Sequence, residues 1–195
     1  MPSNNQIILA SSSPQRKDLL LQIGINPSKI VHPNLDENKH KDIFPSKLVQ
    51  ELAVKKALIV LKKFGNNKFF IISGDTIVCR SRKIFKKTNK KEIIKKYLEE
   101  LSGRRHKVYG GICIISPKGT ISKKLVTTEV FFNKISKNEY NEDLLNEGKN
   151  KAGGYSIQGQ ASKFVKKIRG SYTNIVGLSL GDVYNMLLGE GYFNT

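Results

Sequence analysis

The chain has 195 residues, and its 34 Lys and Arg residues against 16 Asp and Glu residues give a formal net charge of +18. This length is enough to bury a substantial core, so we expect residues 1–195 to form a single domain. The longest aliphatic run, residues 57–61, is far shorter than the roughly 18 residues that a membrane-spanning helix needs. The sequence therefore predicts no membrane protein.

The cysteine content and the amino terminus indicate where in the cell the protein is located. Cys79 and Cys113 are the only thiols, which excludes a disulfide scaffold and a four-cysteine zinc site. The amino terminus has no basic segment and only a short apolar run, residues 7–10, so it does not resemble a secretory signal. A reducing cytoplasm is the expected location.

Apolar runs and helical periodicities alternate along the chain, which predicts an α/β fold with a twisted mixed sheet flanked by helices. Predicted strands cover residues 7–10, 69–72, 108–115, 125–132 and 164–168. Predicted helices cover residues 14–23, 45–64, 91–101, 137–146 and 180–188. The turn signal at residues 117–119 indicates that the third and fourth strands pair as a hairpin.

The first polar segment follows the first predicted strand, at residues 10–16. Three serines and Arg16 at a strand-to-helix turn favour an anion, because exposed backbone N–H groups and the helix dipole point there. A serine-rich helix cap with an exposed arginine explains the same residues equally well.

The second segment, residues 74–76, follows the apolar run 69–72. An Asp at the carboxyl end of a buried strand lies where ligands usually bind in α/β proteins, so Asp75 is a candidate to hold a cation or to accept a proton from water. The alternative is an Asx turn that closes the loop.

The third segment, residues 151–159, contains three glycines and Gln158. Glycines permit close approach of backbone to a ligand, and the amide of Gln158 offers a donor and an acceptor to a nucleobase edge. Taken alone, the segment is better interpreted as a flexible surface loop.

Together these segments resemble the Maf-like nucleotide pyrophosphatases, also called septum-formation inhibitor proteins. The matching motifs are LASSSPQR at 9–16, DTIV at 75–78, LSGRRHKVYGG at 101–111 and KAGGYSIQG at 151–159. The resemblance spans nearly the whole chain and implies a Maf/ITPase-like fold with a substrate cleft. It also implies hydrolysis of a nucleoside triphosphate between the α and β phosphates, with a divalent metal ion, Mg or Mn, as cofactor.

The resemblance assigns roles by motif position. Asp75 would be the general base and, with Glu37, a metal ligand. The residues expected to bind the substrate phosphates are Ser11, Arg16, Lys56 and Lys87. The three histidines, His32, His40 and His106, are scattered along the sequence, and we interpret them as surface or structural rather than catalytic residues.

In the family that the chain resembles, the residues at three positions differ between members with different nucleotide substrates. Thr76 and Gln158 match the dTTP/UTP type, whereas Gln15 replaces an Arg. The other departures are Thr88 after Lys87 in place of a Pro, Gly110 in place of a Thr, and Ser179 in place of a Pro. We therefore expect a dTTP/UTP pyrophosphatase that removes surplus or non-standard nucleotides, with adjusted specificity.

The charge supports one rival hypothesis, a basic nucleic-acid-binding or division-regulating protein without catalysis. Lysine pairs are spread along the whole chain, however, and no zinc-finger, RNP or basic-zipper pattern occurs, which argues against specific nucleic-acid binding. The expected partner is the nucleotide substrate, and a homodimer is compatible with the resemblance.

Overall fold

The structure is a computed structural model that describes residues 6–35, 43–65 and 69–193. The strands are β1 (Gln6–Ala10), β2 (Lys29–Val31), β3 (Phe69–Arg80), β4 (Lys83–Phe85), β5 (Arg105–Ile115), β6 (Ile121–Phe132) and β7 (Val165–Arg169). The helices are α1 (Pro14–Gln22), α2 (Pro45–Phe64), α3 (Lys91–Leu101), α4 (Glu142–Glu147), α5 (Tyr172–Val176) and α6 (Leu180–Gly189). Short 3₁₀ turns lie at Lys137–Glu139, Ala152–Gly154 and Gln160–Phe164.

The described strands form a seven-stranded sheet in the order β2-β1-β3-β5-β6-β7, with β4 paired to β3. β1 is parallel to β2 and β3, and the other pairs are antiparallel. The predicted α/β fold with a mixed sheet and a β5–β6 hairpin is confirmed.

Two predictions of local structure are wrong. β3 continues to Arg80, because residues 71–79 pair with β5, and Asp75 therefore lies within a strand opposite Gly111 rather than at its end. The helix predicted at 137–146 is divided into a 3₁₀ turn and α4, and α4 begins where Asn141 caps the backbone N–H of Leu144.

Different helices cover the two faces of the sheet. On one face α2 packs its small residues Ala53 and Ala57 against the central strands. On the other face α1 and α6 cover β1, β3 and β5 through a cluster that includes Leu19, Val183 and Ile112. Cys79 and Cys113 are buried free thiols on the α2 face, so neither forms a disulfide.

Gly111 sets how closely α2 approaches β5. A Cβ atom at Gly111 would lie 2.3 Å from the carbonyl oxygen of Val49 in α2, and that oxygen cannot move unless the helix moves. We expect Gly111→Ala to lower the free energy of unfolding by about 1–3 kcal/mol through overpacking, measured by urea denaturation. Gly181→Ala is the matched control, since nothing lies within 4 Å of its added Cβ, and an equal loss in both variants would contradict the prediction.

Candidate active site

The turn between β1 and α1 is held by Arg16, which is only 5% exposed. Its Nε donates to the carbonyl of Gly177 (2.8 Å), its Nη1 to Ser11 Oγ (2.9 Å) and its Nη2 to Thr76 Oγ1 (3.1 Å). Each nitrogen of the guanidinium therefore already donates within the protein. Arg16 thus ties the start of α1 to β3 and to the loop after α5.

The serines of this turn are arranged by the same contacts. The buried Ser11 Oγ accepts hydrogen bonds from Arg16 and from the backbone N–H of Ser13 (3.2 Å), so its own hydroxyl proton is available to an acceptor oxygen. α1 begins at Pro14, as predicted, and Ser13 directly precedes it. The hydroxyl of Ser13 donates to Gln15 Oε1 (3.1 Å) and does not cap the helix.

Asp75 and Lys56 form a buried ion pair between β3 and α2. Lys56 Nζ lies 2.5 Å from Asp75 Oδ1, and the two side chains are 8% and 4% exposed. Lys56 is placed by the packing of α2 on the sheet, which is tight at Gly111. Residues 74–76 continue the strand, which excludes the interpretation of Asp75 as the first residue of an Asx turn.

The opposite wall is formed by residues 149–157 and by the loop after β4. The backbone N–H of Asn150, a residue with a positive φ of 57°, donates to the carbonyl of Thr88 (3.0 Å) and so joins the two loops. Gly153 follows with a φ of 79°, and a Cβ there would lie 2.9 Å from Val78 Cγ1, which explains why this position takes glycine.

These elements enclose a cavity of about 490 Å³. Four lysines line it, and no Asp or Glu is among its lining residues in the described part of the chain: the lysines are Lys56, Lys87, Lys149 and Lys151. A smaller cavity of about 230 Å³ adjoins it, contains Asp75, and shares Thr76, Lys87 and Ala152 with it. The arrangement is suited to a polyanion beside a single carboxylate.

Most of the predicted site residues meet here. Those that line the larger cavity are Ser11, Gln15, Arg16, Lys56, Thr76 and Lys87. Gln158 is the exposed residue of the turn at 157–159 and lines neither cavity. Glu37 and the neighbouring Asp36 lie outside the described residues.

Sequence comparisons give the same family over nearly the whole chain. The model of the family described as "Maf-like protein" matches residues 6–190. A dTTP/UTP pyrophosphatase of Chelativorans sp. (strain BNC1) is 41% identical over 197 residues, covering 98% of this chain and 94% of the relative. One from Paramagnetospirillum magneticum is 42% identical over 187 residues, covering 95% and 97%. The chain belongs to the Maf-like protein family.

A solved structure, the Ham1 protein of Staphylococcus aureus, is similar at a TM-score of 0.45 and 17% identity, covering 66% of this chain and 72% of that one. A likeness this weak supports no inference about function. Across the described ranges, no helix of this Maf-like chain is both long and apolar enough to cross a membrane.

Tyr155 is a cavity residue of this Maf-like chain that sequence reasoning missed. It is 5% exposed, and its hydroxyl lies 2.8 Å from Nε2 of His106, which is 1% exposed. Both rings also pack edge-on against Phe132. The prediction of a structural rather than catalytic His106 agrees with this position, which lies on β5 behind the cavity wall. The sequence signal was present, since His106 and Tyr155 both lie within the quoted motifs.

Burial lowers the pKa of His106 to about 4. An unfolded histidine binds a proton below about pH 6.5, whereas the folded one stays neutral until about pH 4, so this group removes stability as the pH falls. We expect it to cost up to about 3 kcal/mol between those pH values. In urea denaturation at pH 7 and pH 4.5, His106→Gln should lose less stability on acidification than the parent. The exposed His32→Gln should behave like the parent, and identical pH dependence of all three proteins would contradict the assignment.

Two departures from the family pattern have structural explanations. A Cβ at Gly110 would lie 1.8 Å from Oδ1 of the buried Asn174, whose Nδ2 donates to the carbonyl of Val108 (3.2 Å) and to Thr128 Oγ1 (3.0 Å). A side chain at position 110 would therefore displace the Asn174 amide from these hydrogen bonds. Ser179 precedes α6, and its hydroxyl donates to Asp182 Oδ2 at 2.6 Å.

The side chains at the site can be compared with the ligands that a divalent metal ion needs. Within the described residues, no group of three His, Cys, Asp or Glu side chains could hold a metal ion. Mg²⁺ commonly needs only one or two carboxylates together with substrate phosphates and water. Asp75 beside the lysine-lined cavity meets that requirement once a triphosphate is bound.

Proposed function

We propose that this Maf-like chain hydrolyses nucleoside triphosphates, dTTP and UTP foremost, to the monophosphate and pyrophosphate. The observation that carries the proposal is the buried Lys56–Asp75 pair beside a cavity lined by four lysines. The names of the two relatives support the choice of substrate.

The first step is binding of the triphosphate. A triphosphate carries about four negative charges, and positive groups fixed in advance at the cavity stabilise the charge that develops on the leaving pyrophosphate. Lys87, Lys149 and Lys151 line the cavity, and Ser11 presents a hydroxyl donor to it. Arg16 holds Ser11 and Thr76 in position, and we assign it to organising the phosphate site as well as to contributing charge.

The second step is attack by water. Asp75 accepts a proton while the water oxygen forms a bond to the α-phosphorus, and the bond from that phosphorus to the oxygen bridging to the β-phosphorus breaks. Pyrophosphate leaves with the bonding electron pair. Lys56 holds the carboxylate of Asp75 through its hydrogen bond and places a positive charge beside the reacting phosphate.

We propose Asp75, with Glu37 outside the described residues, as the ligand of a divalent cation such as Mg²⁺ or Mn²⁺. When bound, the cation supplies further positive charge at the phosphate oxygens.

The base is proposed to be selected near Gln15 and Thr76, which line the larger cavity, and at Gln158 as the family pattern predicts. We expect Gln15→Glu to lower kcat/KM for dTTP and UTP by about five- to a hundredfold if Gln15 hydrogen-bonds the base, because a carboxylate cannot donate and leaves a polar group unpaired. The kcat/KM values of Gln15→Glu and of Gln158→Glu, whose substitution lies in the turn at 157–159, are compared for dTTP, UTP and 7-methyl-GTP. Unchanged selectivity in both variants would show that neither amide reads the base.

The decisive experiment is a nucleotide panel on the purified protein with Mg²⁺ or Mn²⁺. We expect pyrophosphate release from dTTP and UTP, with little from purine triphosphates. In ¹⁸O-labelled water the label should enter the monophosphate, since the water attacks the α-phosphorus. Release of inorganic phosphate, or salt-sensitive DNA binding without turnover of any nucleotide, would contradict the proposal.

The proposed setting is a cytoplasmic enzyme in which residues 1–195 form one domain. A homodimer is proposed from the family resemblance, and its mass in solution is measured by analytical ultracentrifugation.

A further inference from the structure

The arginines of this chain are concentrated in one region outside the candidate active site. The sequence contains six arginines among its 34 basic residues, so lysine is by far the usual cation. Arg16 belongs to the cavity described above. The other five lie together at one end of the sheet: Arg80, Arg82, Arg104, Arg105 and Arg169.

Four of these arginines line a groove of about 640 Å³ at the amino-terminal end of α2. Arg80 ends β3 and Arg82 lies in the turn to β4. Arg104 directly precedes β5, and Arg105 is its first residue. Lys107 lines the same groove, and no Asp or Glu is among its lining residues in the described part of the chain. The turn at Ser81 and Arg82 has positive φ at both residues, positions that usually take Asn and Gly, yet one of them is an arginine.

The charged surface continues across three strands beyond the groove. Cys79, Lys107, Glu129 and Arg169 are register partners on β3, β5, β6 and β7, so their row spans three inter-strand steps of about 4.8 Å. Arg105 and Arg169 both contact Glu129, at 3.1 and 3.4 Å, which shows that these three side chains share a face. Lys107 and Arg169, two of these steps apart, extend the basic surface beyond the groove, which favours a ligand with more than one phosphate.

Aromatic side chains accompany the arginines. Phe44 is 63% exposed at the edge of the groove, and the guanidinium of Arg82 lies 5.5 Å from the centre of its ring. Tyr109 also lines the groove, and the half-buried Phe131 lies opposite Arg105 in the strand register. Exposed rings beside arginines on a sheet surface can stack unpaired bases while the guanidinium groups bind phosphates.

We propose that this surface, defined as the arginine face by Phe44, Lys107 and the five arginines Arg80, Arg82, Arg104, Arg105 and Arg169, binds single-stranded nucleic acid. Binding is independent of sequence, because the contacts fall on phosphates and on the faces of bases. It also takes place apart from the cavity that holds Asp75. Glu129 neutralises part of Arg105 and Arg169, so Arg80, Arg82, Arg104 and Lys107 carry most of the excess charge.

The test is fluorescence anisotropy of a labelled 12-nucleotide single strand of mixed sequence, titrated at 50 and 150 mM salt. The parent should bind with an affinity that falls steeply with salt. A triple variant, Arg80→Gln/Arg82→Gln/Arg104→Gln, should bind at least about tenfold more weakly at 50 mM salt. Its logarithmic salt slope should be smaller by about 2, since each lost phosphate contact removes about 0.7.

The matched control removes the same charge elsewhere: Lys62→Gln/Lys63→Gln/Lys118→Gln, all exposed and distant from the arginine face. It should change affinity by less than about threefold, and both triple variants should turn over dTTP like the parent. An equal loss of binding in the two triple variants, or no salt-dependent binding by the parent, would overturn the proposal. Displacement of the oligonucleotide by dTTP in the presence of EDTA would overturn it too, because the strand would then lie in the catalytic cavity.

A second variant keeps the test decisive if the triple substitution unfolds the protein. Phe44→Ala removes the exposed ring but no charge, and it should weaken binding by at least about fivefold through lost stacking. The face would instead be assigned to a second copy of the chain by two results together. Phe44→Ala would bind the oligonucleotide like the parent, and the triple substitution would dissociate a dimer that the parent forms.

Discussion

Asp75→Asn is expected to lower the rate of dTTP hydrolysis by ~10²–10⁴, because an amide cannot accept the proton of the attacking water. The amide oxygen can still accept the hydrogen bond that Lys56 Nζ donates to Asp75 Oδ1. The fold should therefore be retained, with some loss of stability because the buried ammonium no longer faces a full negative charge. The measurement is pyrophosphate release under saturating dTTP, together with thermal melting of both proteins.

The control for this variant is Asp143→Asn, which makes the same chemical change at an exposed position in the first turn of α4. It should hydrolyse dTTP at the parent rate. A folded Asp75→Asn protein with an undiminished rate would remove Asp75 from the reaction and with it the proposed mechanism.

Lys56→Met is expected to lower the free energy of unfolding by about 3–5 kcal/mol, because it leaves the carboxylate of Asp75 buried without its counter-charge. Activity should fall as well, since the same ammonium orients Asp75 and stabilises the phosphate charge. Urea denaturation at pH 7 measures the first effect and kcat/KM for dTTP measures the second.

A double variant separates the ion pair from simple packing. Lys56→Met/Asp75→Asn holds no unpaired charge, so it should be more stable than Lys56→Met alone although it carries one more substitution. Lys62→Met, at an exposed position on the same helix, should leave stability and activity near the parent values. Additive losses in the double variant would show that the pair contributes no coupling.

The sequence was most informative where local signals act over short distances. The bounds of α2 and α3 agree with their periodicity and with the glycines that follow them, Gly65 and Gly103. The motif segments at 9–16, 75–78 and 151–159 contain most of the residues that line the larger cavity. Local backbone preferences and an apolar face are enough to fix such elements.

The end of β3 could not be predicted in the same way. The apolar run predicts a strand over residues 69–72, whereas pairing with β5 extends the strand to Arg80. Strand pairing joins residues far apart in sequence, so its extent depends on the partner and not on the strand's own composition.

By itself the sequence determined the family, the mixed α/β fold and most of the residues at the candidate site. Only the tertiary structure decided which of them are partners: Lys56 meets Asp75 across 19 residues of sequence, and Arg16 meets Gly177 across 161. The tertiary structure also leaves Gln158 outside the cavity, and strand pairing gathers five arginines from three separate segments at one end of the sheet. Contacts of this kind depend on how helices and strands pack, and packing is a property of the whole chain rather than of any one segment.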